Sequence, residues 1–202
     1  ATKDILIQTG IPARKIHVLM NGVEPLPLPQ PEERERIRAE FGFEPEDFVL
    51  GILARIELYK GHDVLLDAAR QLMEQGRRVK VLIAGTGSDE PGVRLKASSL
   101  PSGTVIFTGF VERVEQVLWA MDVQVNASTE SETSSLSLLE GMSIGLPALV
   151  SDVGGNPVVV RDGENGLVCP REDSQALAQA AARLMDDPET LKRMGRQARE
   201  LY

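Results

Sequence analysis

Six short aliphatic or β-branched runs punctuate this chain, and they constrain its fold more than anything else in it. They are Phe48–Leu53, Val79–Ala84, Val105–Phe107, Val123–Asn126, Ala148–Val150 and Leu167–Val168. Most are continuous rather than alternating, as in strands covered on both faces. Helical patterns lie between them. Leu65, Ala68, Ala69 and Leu72 fall at i, i+3, i+4 and i+7, and Gly76 supplies a stop. Val114, Val117 and Leu118 repeat the spacing weakly, and Leu177, Ala180, Ala181 and Leu184 repeat it clearly. Asp187-Pro188-Glu189 reads as an N-cap with proline at the first helical position. This alternation predicts an α/β, Rossmann-like fold, a parallel sheet with helices on both faces.

A proline-rich connector, Pro25-Leu26-Pro27-Leu28-Pro29, and a charged helix around Glu32–Phe41 precede the first run. We divide the chain into a linker and entry strand over 1–30 and a domain over 31–202. At 202 residues, one domain is expected. The net charge of -8 argues against a nucleic-acid partner, because phosphate backbones select basic surfaces. A single cysteine, Cys169, allows no intramolecular disulfide and suits a reducing compartment. No apolar run approaches the roughly 20 residues that span a bilayer, and no signal peptide is visible. The chain opens on Ala1 and ends inside a helix-like pattern at Tyr202, which reads as a piece of a longer protein.

Ligands of parallel α/β sheets bind outside the carboxyl ends of the strands, so the loops there carry the chemistry. In the stretch from Glu132 to Glu140, two carboxylates bracket a small-residue, apolar run. If a helix starts near Ser134, its free amides and positive end converge with both carboxylates, an arrangement suited to a phosphorylated sugar. Arg55 and Lys60 follow the first strand. They form either a diphosphate site, one fork and one point charge, or two solvated surface cations. Gly85-Thr86-Gly87 follows the second strand. Glu90 stands where a dinucleotide fingerprint needs glycine, so the motif reads either as a ligand loop or as a tight turn. Backbone near Thr108–Val111 could read a base edge or form a simple turn. Gly154-Gly155 suits close approach to a ligand or a sharp strand-to-helix turn.

Two other chemistries fit poorly. Gly141-Met142-Ser143-Ile144-Gly145 matches the nucleophile elbow G-x-S-x-G, but that motif needs a strand before the serine and a helix after it. Here the order is reversed, and His17 and His62 both precede the serine. No Asp-x-Asp and no Cys/His cluster has metal-ligand spacing.

Taken in order, these segments resemble the C-terminal, donor-binding half of a GT-B-fold retaining glycosyltransferase of family 4, over about residues 11–202. Ile16 through Val23 resembles the family's "v-x-v-I-x-N-G-V". Arg55 and Lys60-Gly61-His62-Asp63 resemble "G-R-L-x-x-x-K-G-x-D", and Glu132 through Glu140 resembles its E-x7-E element. Asp152-Val153-Gly154-Gly155 and Asp162 through Val168 resemble its closing "D-v-G-G … d-g-x-N-G-l-l-v". Ala54 stands in place of a usual glycine, Thr133 and Ser134 in place of bulkier or glycine residues, and Val158 where glutamate often follows the proline.

The resemblance implies transfer of a sugar from a nucleotide-diphosphate sugar to an acceptor hydroxyl with retention, in polysaccharide or glycolipid synthesis. Arg55, Lys60 and Glu132 are the implied catalytic residues: the two cations hold the diphosphate, and Glu132 holds sugar hydroxyls. Amides and side chains at Thr133, Ser134, Ser135 and Leu136 face the sugar and distal phosphate. Glu140 binds the ribose, the backbone near Val111 meets the base, and Gly85 belongs to the donor loops. No metal or other cofactor is implied, and UDP is the expected nucleotide. A missing N-terminal half binds the acceptor, so the fragment alone is expected to be inactive. The implied location is cytoplasmic, with membrane contact only through the missing half. A non-catalytic sugar-nucleotide-binding module and half of a sugar-nucleotide epimerase are the alternatives.

Overall fold

The structure, a computed structural model, describes residues 2–19, 21–130, 132–133 and 135–202. It contains strands β1 (Phe48–Leu53), β2 (Val79–Ala84), β3 (Val105–Gly109), β4 (Val123–Asn126), β5 (Ala148–Ser151) and β6 (Gly166–Cys169). The helices are α1 (Thr2–Gln8), α2 (Pro31–Glu40), α3 (His62–Glu74), α4 (Glu90–Ala97), α5 (Val114–Ala120), α6 (Leu136–Ser143), α7 (Asn156–Val159), α8 (Ser174–Asp186) and α9 (Pro188–Leu201). All six expected strands are present, and three have the expected ends. They form one parallel sheet in the order β3-β2-β1-β4-β5-β6. The strand order reverses between β1 and β4, which opens a crevice at their carboxyl ends.

Both faces of the sheet are covered, which explains the continuous apolar runs. Along β2, Val81 and Ile83 pack with Leu65, Leu72 and Leu177 of α3 and α8. Leu82 and Ala84 point the other way, to Ile37, Val117 and Leu118 of α2 and α5. Alternate residues thus feed two cores. A third cluster joins β5 to α6, α7 and α9 through Val150, Leu138, Val159 and Ala198.

Helix α2 docks by charge as well as by Ile37. Arg34 donates to Asp122 Oδ1 at 2.7 Å, and Arg38 donates to Asp122 Oδ2 at 3.0 Å and to the Ala120 carbonyl at 2.9 Å. Asp122 also accepts the Val49 amide at 2.8 Å. One carboxylate therefore ties α2 to the starts of β1 and β4.

Helices α1 and α4 carry no clear apolar periodicity in the sequence. Only Val93 and Ala97 of α4 are buried, so a narrow stripe holds it down. The entry strand expected within residues 1–30 is not one. Among the described residues, that segment holds α1, a 3₁₀ turn at Ala13–Lys15 and irregular chain. Among the described residues no neighbouring strand pairs with it, and an unpaired strand leaves its backbone groups unsatisfied. The proline connector instead docks on the domain. Leu26 donates its amide to Ser143 Oγ at 3.1 Å, and Trp119 Nε1 donates to the Pro27 carbonyl at 3.0 Å.

The reversed order around Ser143 is as expected: α6 ends there and β5 follows. Ser143 Oγ is buried and donates to the Glu140 carbonyl at 2.7 Å, so it is committed to the helix end. Cys169 is buried and unbridged, and burial pushes its thiol up to about 11. No helix among the described residues is long and apolar enough to cross a membrane.

Candidate functional site

A cleft of about 530 Å³ opens at the carboxyl ends of β1 and β4. Its lining includes Arg55, Lys60, Asn126, Glu132, Ser135 and Leu136. A second cavity of about 500 Å³ lies at the opposite end of the sheet, against Met121 and Pro147. The first holds the converging polar groups and sits at the switch point, so it is the candidate site.

The loop after β1 delivers the cations. Arg55 is exposed and donates to the Tyr59 hydroxyl at 3.0 Å. Lys60 closes a 3₁₀ turn (Leu58–Lys60), and its ammonium lies 5.3 Å from the centre of the Tyr59 ring. The next loop braces this one: Asp89 accepts the Leu58 amide at 2.8 Å, and Ile56 donates to the Thr86 carbonyl at 3.0 Å.

Gly61 then turns the chain into α3 with φ of 73°. A Cβ there would lie 1.9 Å from the Ala127 carbonyl oxygen. Only glycine lets the Lys60 turn sit against the chain leaving β4. Thr129 donates to the Tyr59 carbonyl at 2.8 Å, which locks the two loops together.

The loop after β4 brings Glu132 to the cleft. Its Oε2 accepts from Lys60 Nζ at 2.8 Å, Ser128 Oγ at 3.1 Å and Asn126 Nδ2 at 3.4 Å. Burial pushes the Glu132 carboxyl up, but the Lys60 hydrogen bond and charge, with Asn126 and Ser128, more than reverse this. The carboxyl lies below its ordinary range. Gly154 and Gly155 clasp this loop from β5. Gly155 donates to the Glu132 carbonyl at 2.7 Å, and a Cβ on Gly155 would sit 2.1 Å from the Thr133 carbonyl oxygen. The two glycines approach protein backbone here.

Helix α6 begins at Leu136 behind Ser135, which makes no side-chain capping bond. The free amides of its first turn border the cleft and carry the positive end of the helix.

The structure therefore brings Arg55, Lys60, Glu132, Ser135 and Leu136 together in one cleft. Ser134 lies outside the described residues. Thr133 is exposed and absent from the lining. Glu140 lies a turn further along α6, half-buried, with no side-chain partner among the described residues. Burial alone pushes its carboxyl above the ordinary glutamate range. Gly85 also stands outside the lining. Its φ is 130°, and a Cβ would meet the Ala54 carbonyl, so its place is against the back of the Arg55 loop. Val111 packs on the α2/α5 cluster. Sequence reasoning missed Tyr59, Asn126, Ser128 and Ser137. The one signal for them was a polar residue, Asn126, at the carboxyl end of the strand Val123-Gln124-Val125-Asn126.

His62, the first residue of α3, is buried, and neither ring nitrogen has a hydrogen-bond partner among the described residues. Burial holds its pKa down to about 4, against the opposing charge of Asp63. No group of three His, Cys, Asp or Glu among the described residues could hold a metal ion.

Fold and cleft together define a Rossmann-like α/β domain of the kind that forms one half of a GT-B enzyme. The chain belongs to the glycosyl transferases group 1 family, whose profile matches residues 33–201. It is 32% identical over 196 residues to EpsD of Bacillus subtilis, described as a glycosyltransferase, covering 96% of this chain and 51% of that protein. It is 35% identical over 171 residues to a D-inositol 3-phosphate glycosyltransferase of Nocardia farcinica, covering 80% of this chain and 38% of that one. The crystal structure of Anabaena HepE in complex with UDP and glucose superposes with a TM-score of 0.91 at 25% identity, over 100% of this chain and 55% of that one. The chain thus spans about half the length of these proteins or less.

Proposed function

We propose that this chain is the donor-binding half of a glycosyltransferase that moves a sugar from a UDP-sugar to an acceptor hydroxyl with retention. The observation that carries the reading is the gathering of Arg55, Lys60, Glu132 and the start of α6 on one cleft. Arg55 and Lys60 bind the diphosphate and stabilise the charge that develops on it as the glycosidic bond breaks. Amides at the start of α6 add to that field. Glu132 accepts hydroxyls of the transferred sugar, and Glu140 accepts from the ribose. Charge neutralisation rests on these groups, so the reaction is metal-independent. UDP in complex with HepE supports the choice of nucleotide.

An N-terminal half, joined to this domain through residues 1–30, binds the acceptor, and the product belongs to a polysaccharide or glycolipid made in the cytoplasm. The test is calorimetry and thermal shift with UDP, UDP-glucose, other nucleoside diphosphates and pyrophosphate. A ligand that binds only the native state raises its melting temperature. If no nucleotide shifts the melting temperature or releases heat, the donor reading is lost.

A further inference from the structure

Behind Glu132 lies a polar network that the sheet does not need. Asn126 ends β4, Ser151 ends β5, Asn156 opens α7, and Ser128 lies between β4 and Glu132. All four are more than nine-tenths buried, Ser128 completely. Ser151 Oγ donates to the Ser128 carbonyl at 2.6 Å, and Asn156 Nδ2 reaches Ser151 Oγ at 3.2 Å and Asn126 Oδ1 at 3.4 Å. Buried polar groups are costly unless satisfied, and the charged member that this network reaches is Glu132.

The connections to Glu132 are asymmetric. Lys60, Ser128 and Asn126 all meet Oε2. Among the described residues, no donor meets Oε1. The Ser128 hydroxyl has one hydrogen and two acceptors within reach, Asn126 Oδ1 at 2.7 Å and Glu132 Oε2 at 3.1 Å. Asn126 Oδ1 has other donors, the Ser128 amide at 3.3 Å and Asn156 Nδ2 at 3.4 Å. The hydroxyl can therefore turn to Glu132 and leave Asn126 Oδ1 satisfied.

From this we propose that Asn126 and Ser128 are positioning residues that hold Glu132 Oε2 when Lys60 turns to the diphosphate, and so keep Oε1 free for a sugar hydroxyl. The proposal rests on the reading of the cleft as a donor site. Lys60 now shares Glu132 Oε2 with Ser128 and Asn126, and a diphosphate competes with that oxygen for the three hydrogens of the ammonium. With no replacement donor, a buried carboxylate whose ammonium is drawn towards the diphosphate would be left under-supported, which is unfavourable. The Ser128 hydrogen supplies that replacement within the same network. The charged groups facing Glu132 in the cleft are Lys60 and Arg55.

The test is calorimetry on this chain with UDP and with UDP-glucose, for Ser128→Ala and Asn126→Ala. Each variant is expected to bind UDP within about twofold of the parent and UDP-glucose about tenfold more weakly. The preference for UDP-glucose should also disappear at a higher pH than in the parent, because Glu132 protonates sooner. Equal loss of both ligands, or no loss of either, overturns the proposal. A second measurement needs no ligand: the Glu132 carboxyl carbon is titrated by NMR in the free protein. In both variants it should titrate at higher pH, and an unmoved titration also overturns the proposal. A parent chain that binds neither UDP nor UDP-glucose would overturn the donor reading and the role proposed within it. The NMR titration would then still show whether Asn126 and Ser128 hold the carboxylate.

Discussion

Lys60 Nζ sits 2.8 Å from Glu132 Oε2, so the group expected to hold phosphate is held by the group expected to hold sugar. The pair joins the loops after β1 and β4 across the crevice. Both side chains are mostly buried, 18% and 8% exposed, so each neutralises a charge that would otherwise lack a partner.

Removing the cation should change both binding and the sign of a pH effect. A charge-assisted hydrogen bond is worth about 1.5–3 kcal/mol. Lys60→Met or Arg55→Ala should therefore weaken UDP binding by roughly 10–100-fold, read by calorimetry. In the parent, the Glu132 pKa lies below its ordinary value of 4.5, so its stabilising contribution is present above 4.5 and lost as the pH falls through the folded value. Without Lys60, burial dominates and lifts that carboxyl. Its contribution should then decline as the pH rises from 4.5 towards 7. Melting temperatures across that range check the inversion.

Gly155→Ala should lower stability by more than about 1 kcal/mol and abolish UDP-glucose preference, because its Cβ would meet the Thr133 carbonyl at 2.1 Å. The Glu132 loop must move away to relieve the contact. Gly92→Ala is the control: it lies within α4, and its Cβ would meet nothing within 4 Å. Alanine there should be neutral or stabilising by about 0.5–1 kcal/mol. Urea denaturation of both variants separates the two outcomes.

Glu140→Gln should stabilise the free protein at neutral pH while weakening nucleotide binding. Burial raises the Glu140 pKa, so its charge opposes folding increasingly as the pH climbs above 4.5. The melting-temperature difference between variant and parent should be small near pH 4 and grow towards pH 7. Ribose contact predicts that the variant loses preference for UDP over pyrophosphate. Equal loss of both ligands would remove that contact.

His62 should contribute an acid-sensitive step. Its folded pKa of about 4 lies below the ordinary 6.5, so the unfolded chain binds more protons between those values. The stability contributed by neutral His62 is complete above 6.5 and declines as the pH falls towards 4. His62→Leu should flatten the urea midpoint over that window. An unchanged slope would show that the ring is hydrated in solution.

How much of this was legible depended on which signal each element carried. β1, β2 and β4 were readable to the residue because strands covered on both faces leave runs dominated by aliphatic and β-branched residues, with polar side chains only at Lys80 in β2 and at Gln124 and Asn126 in β4. α4 was not, since two buried side chains and an early Pro91-Gly92 leave almost no period to read. Arg55, Lys60 and Glu132 stood out as charged residues at the ends of predicted strands. Asn126 and Ser128 did not, because a short polar side chain beside a strand looks the same whether it faces water or a buried carboxylate.

The amino-acid order alone determined the alternation of strand and helix, the parallel sheet and the ends of its strands where charge collects, because solvent exclusion writes itself into local hydrophobic spacing. It also marked α9 through the Asp187 cap, which accepts the Thr190 amide at 3.0 Å. Only the tertiary structure decided that Lys60 closes on Glu132, that Glu140 stands a turn away from them, and that Gly61 and Gly155 serve as points of backbone contact. Those outcomes depend on which chain segments the strand order makes neighbours, and on carbonyl oxygens that stand 1.9 and 2.1 Å from where a Cβ would be at Gly61 and Gly155. No pattern along the chain encodes either.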